Sequence, residues 1–323
     1  MADRPAGPEH ALDLIVTARE QLADDVVGLQ FEDPTGAALP QWSPGAHVDL
    51  ILDSAVVRQY SLCSNPVERH RWRIGVLREP NGRGGSQRVH DELFVGTRVE
   101  LRGPRNHFAL QPARSYRFIA GGIGITPILP MIAAADAAGA DWSLRYGGRR
   151  RSSMAFLDEL ATYGSRVTVW PQDERGLLPL DEPLHGVDAD TLIYCCGPEG
   201  LLVAVERASA HWPTSALHVE RFAARPSEAA ASGGLDHFEV VAQRSGFNVN
   251  VGPGESILDA VRAHGVNLLS SCMEGICGTC ETAVLEGLPH HRDSVLSDEE
   301  KAAGDCMMLC VSRSSTPRLV LDI

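Results

Sequence analysis

Along the first third of the chain the apolar positions come in short runs separated by turn residues. Leu12-Asp13-Leu14-Ile15-Val16 and Val26-Val27-Gly28-Leu29-Gln30-Phe31 are apolar or alternating, and His47-Val48-Asp49-Leu50-Ile51-Leu52 alternates more cleanly. Asp33-Pro34-Thr35-Gly36 and Ser43-Pro44-Gly45 stand between them. Alternation with period two marks half-buried strands, so this segment predicts a small antiparallel barrel. Gly103-Pro104-Arg105-Asn106 reads as the turn that closes it. From Ser115 the texture changes to strands alternating with helical stretches, the pattern of a parallel sheet. The expected strands are 116–120, 142–146, 167–170, 191–195 and 218–222, with helices over 128–138 and 201–210. Ala223 to Gly234, rich in Ala, Ser, Pro and Gly, reads as a linker. Beyond it, strands over 237–244, 248–251, 281–285 and 318–323 surround a helix over 256–264 that Ser256 can cap, a small α+β domain. Three domains result: 1–112, 113–226 and 236–323, with 227–235 as the connection.

The chemistry is concentrated in the third domain. Cys272, Cys277 and Cys280 follow the spacing C-x4-C-x2-C, and Cys310 lies far downstream. That is the plant-type ligand pattern of a [2Fe–2S] cluster, in which one loop supplies three thiolates and the fourth comes from elsewhere. Gly275 and Gly278 suit a loop that needs positive φ and close approach of backbone N–H groups to sulfur. A zinc site usually shows two C-x2-C pairs, and only one is present. Cys306 competes with Cys310 as fourth ligand; the apolar run Met307-Met308-Leu309 leading into Cys310 favours the latter, carried inward on a strand.

The first two domains carry phosphate-type motifs. In Gly82-Arg83-Gly84-Gly85-Ser86-Gln87-Arg88-Val89-His90 a glycine-rich turn enters a short helix, which presents N–H groups to an anion, with Ser86 as N-cap or phosphate-contacting hydroxyl. In Gly121-Gly122-Ile123-Gly124-Ile125-Thr126-Pro127 a glycine turn joins strand to helix, with Thr126 as N-cap and Pro127 as first helical residue, so a pyrophosphate is expected at that helix start. It differs from the Rossmann fingerprint in lacking the third glycine. Arg58-Gln59-Tyr60-Ser61-Leu62 places Arg58 and Tyr60 on one strand face, suited to a phosphate and a flat ring. Cys196-Gly197-Pro198 ends a strand of the parallel sheet, where such sheets bind ligands, so Cys196 is placed to touch a bound ring; Cys195 reads as a small buried residue. Arg149-Arg150-Arg151 can meet a 2′-phosphate or simply solvate a loop.

Charge and composition narrow the class. With 44% hydrophobic and 22% charged residues the chain reads as a soluble globular protein, and a net charge of −13 argues against nucleic acid. The first 20 residues hold no signal-like apolar stretch, and no run approaches the ~20 apolar residues of a membrane span, so a cytoplasmic protein with reduced thiols, monomeric by default, is expected. From Leu235 to Ile323 there are 13 acidic and 6 basic residues, a net charge of −7, which suits docking on a basic partner patch.

In order along nearly the whole chain, these motifs resemble those of the phthalate dioxygenase reductase family, which includes the vanillate O-demethylase reductases. The resemblance rests on Arg58 to Leu62, Gly84-Gly85-Ser86 with His90, Gly121 to Pro127, Cys196-Gly197-Pro198, Glu220-Arg221-Phe222, and Cys272, Cys277, Cys280 and Cys310. It implies an FMN-binding antiparallel barrel, an NAD-binding α/β domain and a β-grasp ferredoxin domain. By the same resemblance Arg58, Gln59, Tyr60, Ser61, Gly84, Gly85 and Ser86 belong to the FMN site. Tyr60 and Ser61 lie at the isoalloxazine, and Phe222 stacks near the ring. Gly122, Gly124, Thr126, Cys196, Gly197 and Pro198 line the NAD site. Ser61 and Cys196 are the residues expected to matter at hydride transfer. NADH is the expected donor, with NADPH left open by the three arginines, and a Rieske-type oxygenase acting on an aromatic or similar acid is the implied partner.

Three such sites in one chain form a converter from a two-electron to a one-electron carrier, in which the cofactors carry the chemistry and the protein orients them. Two other readings remain: a stand-alone flavin or ferric reductase with an accessory cluster domain, and a non-enzymatic redox or iron sensor.

Overall fold

A computed structural model describes residues 11–53, 56–223 and 234–323. The composition-based linker falls largely on residues 224–233, outside the described ones. The chain divides into two compact units, the first ending at Glu220 and the second beginning at Arg221.

The first unit opens with a six-stranded antiparallel sheet formed by β1 (Ala11–Ala23), β2 (Val26–Glu32), β3 (His47–Ile51), β4 (Val57–Ser61), β5 (Trp72–Leu77) and β6 (Arg98–Arg105), with helix α1 (Gly85–Glu92) between β5 and β6. The strand order is β4-β3-β6-β1-β2-β5, and a bridge between Leu62 and Ile74 joins the two edges into a barrel. Alternation fills it: Leu14, Val16, Leu29, Phe31, Val48, Leu50, Trp72 and Ile74 are buried together. Gly103-Pro104 is not the expected closing turn. It lies inside β6, where the pairing with β3 shifts register between His47 and Asp49. An irregular pairing of this kind accepts a residue that has no N–H to donate.

The same unit continues with a five-stranded parallel sheet: β7 (Ser115–Gly121), β8 (Asp141–Gly148), β9 (Val167–Pro171), β10 (Thr191–Cys196) and β11 (Leu217–Glu220), in the order β11-β10-β7-β8-β9. Between them run α2 (Ile125–Ala137), the short α3 (Leu157–Ala161), α4 (Gln172–Arg175) and α5 (Asp181–Leu184), and α6 (Glu199–Ala208). Successive side chains face opposite sides, so Phe118, Tyr146, Tyr194 and Cys196 pack in one core with α2, while Ile119, Ile193 and Cys195 pack in another with Leu202 and Val205 of α6. Cys195 is the buried small residue expected of it.

Three boundaries differ from expectation. Helix α2 begins at Ile125, so Thr126 is its second residue rather than its cap; a 3₁₀ turn over Gly122–Gly124 starts the winding, and Thr126 Oγ1 donates to the Ile123 carbonyl at 2.9 Å. Pro127 therefore stands third, still a position whose N–H would have no intrahelical acceptor. Helix α6 starts two residues earlier than expected, with Glu199 favourably placed at the positive end. Strand β11 stops at Glu220, which leaves Phe222 beyond it.

The second unit is a mixed five-stranded sheet of β12 (Phe238–Ala242), β13 (Phe247–Val251), β14 (Glu281–Glu286), β16 (Cys306–Met308) and β18 (Arg318–Leu321), with the two-stranded β15 (Pro289–His290) and β17 (Arg313–Ser314) beside it. Its order is β13-β12-β18-β14-β16, with β12 and β18 parallel and the other pairs antiparallel. Helix α7 (Ile257–Arg262) packs on it, capped as expected by Ser256, whose Oγ accepts from Asp259 N–H at 3.0 Å. Helix α8 (Asp298–Ala303) was not foreseen, although Ser297 and Glu300 form a capping box that the sequence spells out.

Candidate functional site

At the barrel, Arg58 and the glycine turn meet. The Arg58 guanidinium donates to the Arg83 carbonyl at 2.9 Å, and its aliphatic stem lies under Gly85, where a Cβ would come within 2.5 Å of Arg58 Cγ. Gly84, at φ +78, is the N-cap of α1, so the first-turn N–H groups of this eight-residue helix open beside a cation. A cationic group, a left-handed glycine and a helix start together suit a phosphate. Ser86 is not the cap: it is the second helical residue, and its Oγ accepts from Glu79 N–H at 3.0 Å. Gln59 is committed to Asp49 at 3.0 Å. Tyr60 sits partly buried on β4, where burial pushes its hydroxyl pKa up, and Ser61 is buried at the strand end. His90 is buried, with Nε2 at 2.9 Å from the Val76 carbonyl.

At the parallel sheet, the two glycine loops pack against each other. A Cβ on Gly124 would lie 2.5 Å from the Cys196 carbonyl carbon, and one on Gly197 3.0 Å from Gly121 Cα. These glycines thus bring the ends of β7 and β10 together, whereas Gly122, at φ +54 with open space around it, supplies the turn itself. Cys196 stands at the carboxyl end of β10 as expected, but its side chain is fully covered. Its Sγ donates to Glu220 Oε2 at 3.9 Å. Burial first, and the Glu220 carboxyl second, push the Cys196 thiol well above its usual range, while burial pushes Glu220 up to about 8. Sequence reading assigned Glu220 no role of its own; the available signal is a carboxylate at the end of a parallel strand. Of the three arginines, Arg151 pairs with Glu174 at 3.3 Å. Phe222 is 42% exposed and belongs to the second unit.

In the second unit the four expected cysteines converge. Cys272 is within hydrogen-bond reach of Cys277 and Cys310, and Cys280 of Cys310; all four are buried. Cys306 lies apart on β16, opposite Ala283, and is only partly buried. Cys310 does not ride on a strand: β16 ends at Met308 and Cys310 follows in the turn beyond it. Gly275 and Gly278 both have positive φ, at 68° and 72°. Glu274 N–H and Ile276 N–H donate to Cys272 Sγ at 3.3 and 3.5 Å. Among the described residues no three or more His, Cys, Asp or Glu side chains are arranged to hold a metal ion. Four buried sulfurs with backbone donors fit a [2Fe–2S] cluster, whose thiolates are shared between two irons.

A helix opening on a cation, a nucleotide-type sheet and a three-thiol loop joined by the distant Cys310 define a flavin- and iron–sulfur-dependent electron-transfer oxidoreductase. Comparison with known proteins agrees. Residues 13–110 match the oxidoreductase FAD-binding domain and residues 240–315 the 2Fe-2S iron-sulfur cluster binding domain. Phenoxybenzoate dioxygenase subunit beta of Ectopseudomonas oleovorans is 45% identical over 93% of this chain and 94% of its own. The solved phthalate dioxygenase reductase, described as a modular structure for electron transfer from pyridine nucleotides to [2Fe-2S], is 37% identical and superposes with a TM-score of 0.71 over 97% of this chain and 98% of its own. An intact type IV self-sufficient cytochrome P450 monooxygenase is 44% identical with a TM-score of 0.91 over 97% of this chain, which spans only 41% of that longer one. The chain belongs to the phthalate dioxygenase reductase family, and binds a flavin and a [2Fe–2S] cluster.

Proposed function

We propose that this protein is the reductase component of a Rieske-type oxygenase system, taking electrons from NADH through FMN to the [2Fe–2S] cluster and on to an oxygenase that acts on an aromatic or similar acid. The observation that carries this reading is the match with phenoxybenzoate dioxygenase subunit beta, 45% identical over 93% of this chain and 94% of its own. When bound, the flavin supplies the exchange between two-electron and one-electron carriers. This chain's residues bind and orient. Gly84, Gly85, Ser86 and Arg58 hold a terminal phosphate. That favours FMN, whose phosphate ends the molecule. Gln59, Tyr60 and Ser61 on β4 flank the ring.

Gly122, Gly124 and Thr126 at the start of α2, with Cys196, Gly197 and Pro198, form the NAD site. Hydride transfer asks only that donor and acceptor atoms meet within about 3–3.5 Å, so Ser61 and Cys196 orient rather than move protons. Cys272, Cys277, Cys280 and Cys310 hold the cluster. The domain limits 1–112, 113–226 and 236–323 and a monomeric, cytoplasmic protein belong to the same reading; no helix among the described residues is long and apolar enough to cross a membrane.

The test is reconstitution. FMN released by denaturation, together with NADH-driven reduction of a purified Rieske oxygenase, supports the reading; FAD in the extract, or a reduced protein that passes no electrons to any such oxygenase, overturns it. The likeness to the P450 chain favours a haem oxygenase as the second reading, and its signature is faster reduction of a P450 than of a Rieske protein.

A further inference from the structure

Beside the cysteine loop lies a turn, residues 291–296, that the ligand set does not use. Asp293 is 6% exposed and its side chain is fully covered. Its Oδ2 accepts from Val295 N–H at 3.2 Å and Leu296 N–H at 2.9 Å, which closes the turn. Lys301 Nζ donates to the Asp293 carbonyl at 3.0 Å, and Arg292 N–H to Ser312 Oγ at 3.3 Å, two residues past Cys310. Asp293 Oδ1 faces His291 Nδ1 at 3.6 Å. The turn meets the cysteine loop where Ser294 N–H donates to the Gly275 carbonyl at 2.8 Å. A Cβ on Gly275 would lie 3.0 Å from Asp293 Cα and 2.5 Å from Val311 Cγ2, so only glycine admits this approach.

The Gly275 carbonyl and the Ile276 N–H belong to one planar peptide group. Ile276 N–H donates to Cys272 Sγ. The bond that Ser294 makes to one end of that plane therefore fixes the direction of the donor at the other end. Resting on the reading that Cys272 is a cluster ligand, we infer that Asp293 is a positioning residue that sets the cluster's reduction potential, because the turn it locks aims the Gly275–Ile276 peptide at the Cys272 sulfur. Hydrogen bonds to ligand sulfur are among the determinants of such potentials; they favour the more negative, reduced state and so raise the potential.

Two variants separate this role from charge. Asp293→Asn and Asp293→Ala both delete the carboxylate charge, and only Asn keeps an acceptor oxygen for the two turn amides. The midpoint potential of the full-length holoprotein is read from a redox titration followed by the EPR signal of the reduced cluster. The Ala variant is expected below the Asn variant by about 59 mV, a tenfold change in the one-electron equilibrium, with altered g values. Equal potentials in the two variants overturn the inference: a purely coulombic role predicts both raised together, and a purely structural role predicts both at the wild-type value with lower thermal stability. Should the Ala variant fail to retain iron, Ser312→Ala removes the acceptor of Arg292 N–H without a charge change. A potential below wild type then supports the inference, and an unchanged one overturns it. Absence of a [2Fe–2S] spectrum in the wild type overturns the ligand reading as well, whereas its presence with equal variant potentials overturns the positioning role alone.

Discussion

The Cys196 sulfur and the Glu220 carboxyl face each other at 3.9 Å across adjacent strands, paired in register at the carboxyl ends of β10 and β11. Burial pushes the Glu220 pKa from 4.5 up to about 8, and the Cys196 contact lowers it by a smaller amount. The folded protein therefore holds this proton to about pH 8, whereas the unfolded chain releases it near pH 4.5. Between these limits the folded state binds more protons, so stability falls as pH rises and the loss is complete above pH 8. Glu220→Gln removes the titration. Denaturant unfolding followed at the first unit is expected to show a gain over wild type of about 4–5 kcal/mol at pH 8.5, at about 1.4 kcal/mol per pKa unit, and about 1 kcal/mol or less at pH 5. A parallel pH dependence in the two proteins counts against the assignment.

Gly124→Ala places a methyl group against the Cys196 carbonyl, a backbone atom that has no side-chain freedom to yield. Overpacking of this kind costs about 1–3 kcal/mol. Because the displaced segment is the proposed nicotinamide wall, KM for NADH in ferricyanide reduction is expected to rise several-fold, while the flavin content of the purified protein stays that of the wild type.

Gly85→Ala presses instead on the Arg58 side chain, which can swing away. Stability should change little. The proposed phosphate site then loses its cation, and flavin retention on gel filtration is expected to drop about tenfold, as in Arg58→Ala; one charge-assisted hydrogen bond of about 1.5–3 kcal/mol is enough for that. Full flavin occupancy in both variants would place the phosphate elsewhere.

Cys310→Ser and Cys306→Ser distinguish the two candidates for fourth ligand. Cys310 is buried among the other three sulfurs and Cys306 is not. Iron and sulfide analysis is expected to show wild-type content after Cys306→Ser and loss of most of the cluster after Cys310→Ser. In that second protein NADH reduction of the flavin should persist, because the first unit is intact.

Much of this was legible in the chain. Period-two alternation gave β1 to β3, and strand–glycine–helix punctuation gave β7 with α2. The C-x4-C-x2-C spacing marked the cluster loop because ligand chemistry fixes the separation of donors in sequence. The misplacements share one cause. Thr126 and Ser86 look like caps because their hydroxyls suit that role, but a cap is decided by where the backbone turns into the helix, and the 3₁₀ turn at Gly122 and the left-handed Gly84 moved that point by two residues. Gly103-Pro104 looks like a turn because composition does not reveal a strand whose register shifts.

The sequence by itself determined the order of the three cofactor motifs, the separation of the first three thiols and the two sheet types, since each is a matter of residue chemistry or local periodicity. The tertiary structure alone decided that Gly124 serves the contact with Cys196, that Glu220 faces that thiol, and that Asp293 and Ser294 reach back to Gly275. These relationships join residues distant along the chain, and no local pattern records which backbone groups the folded core brings within hydrogen-bond reach.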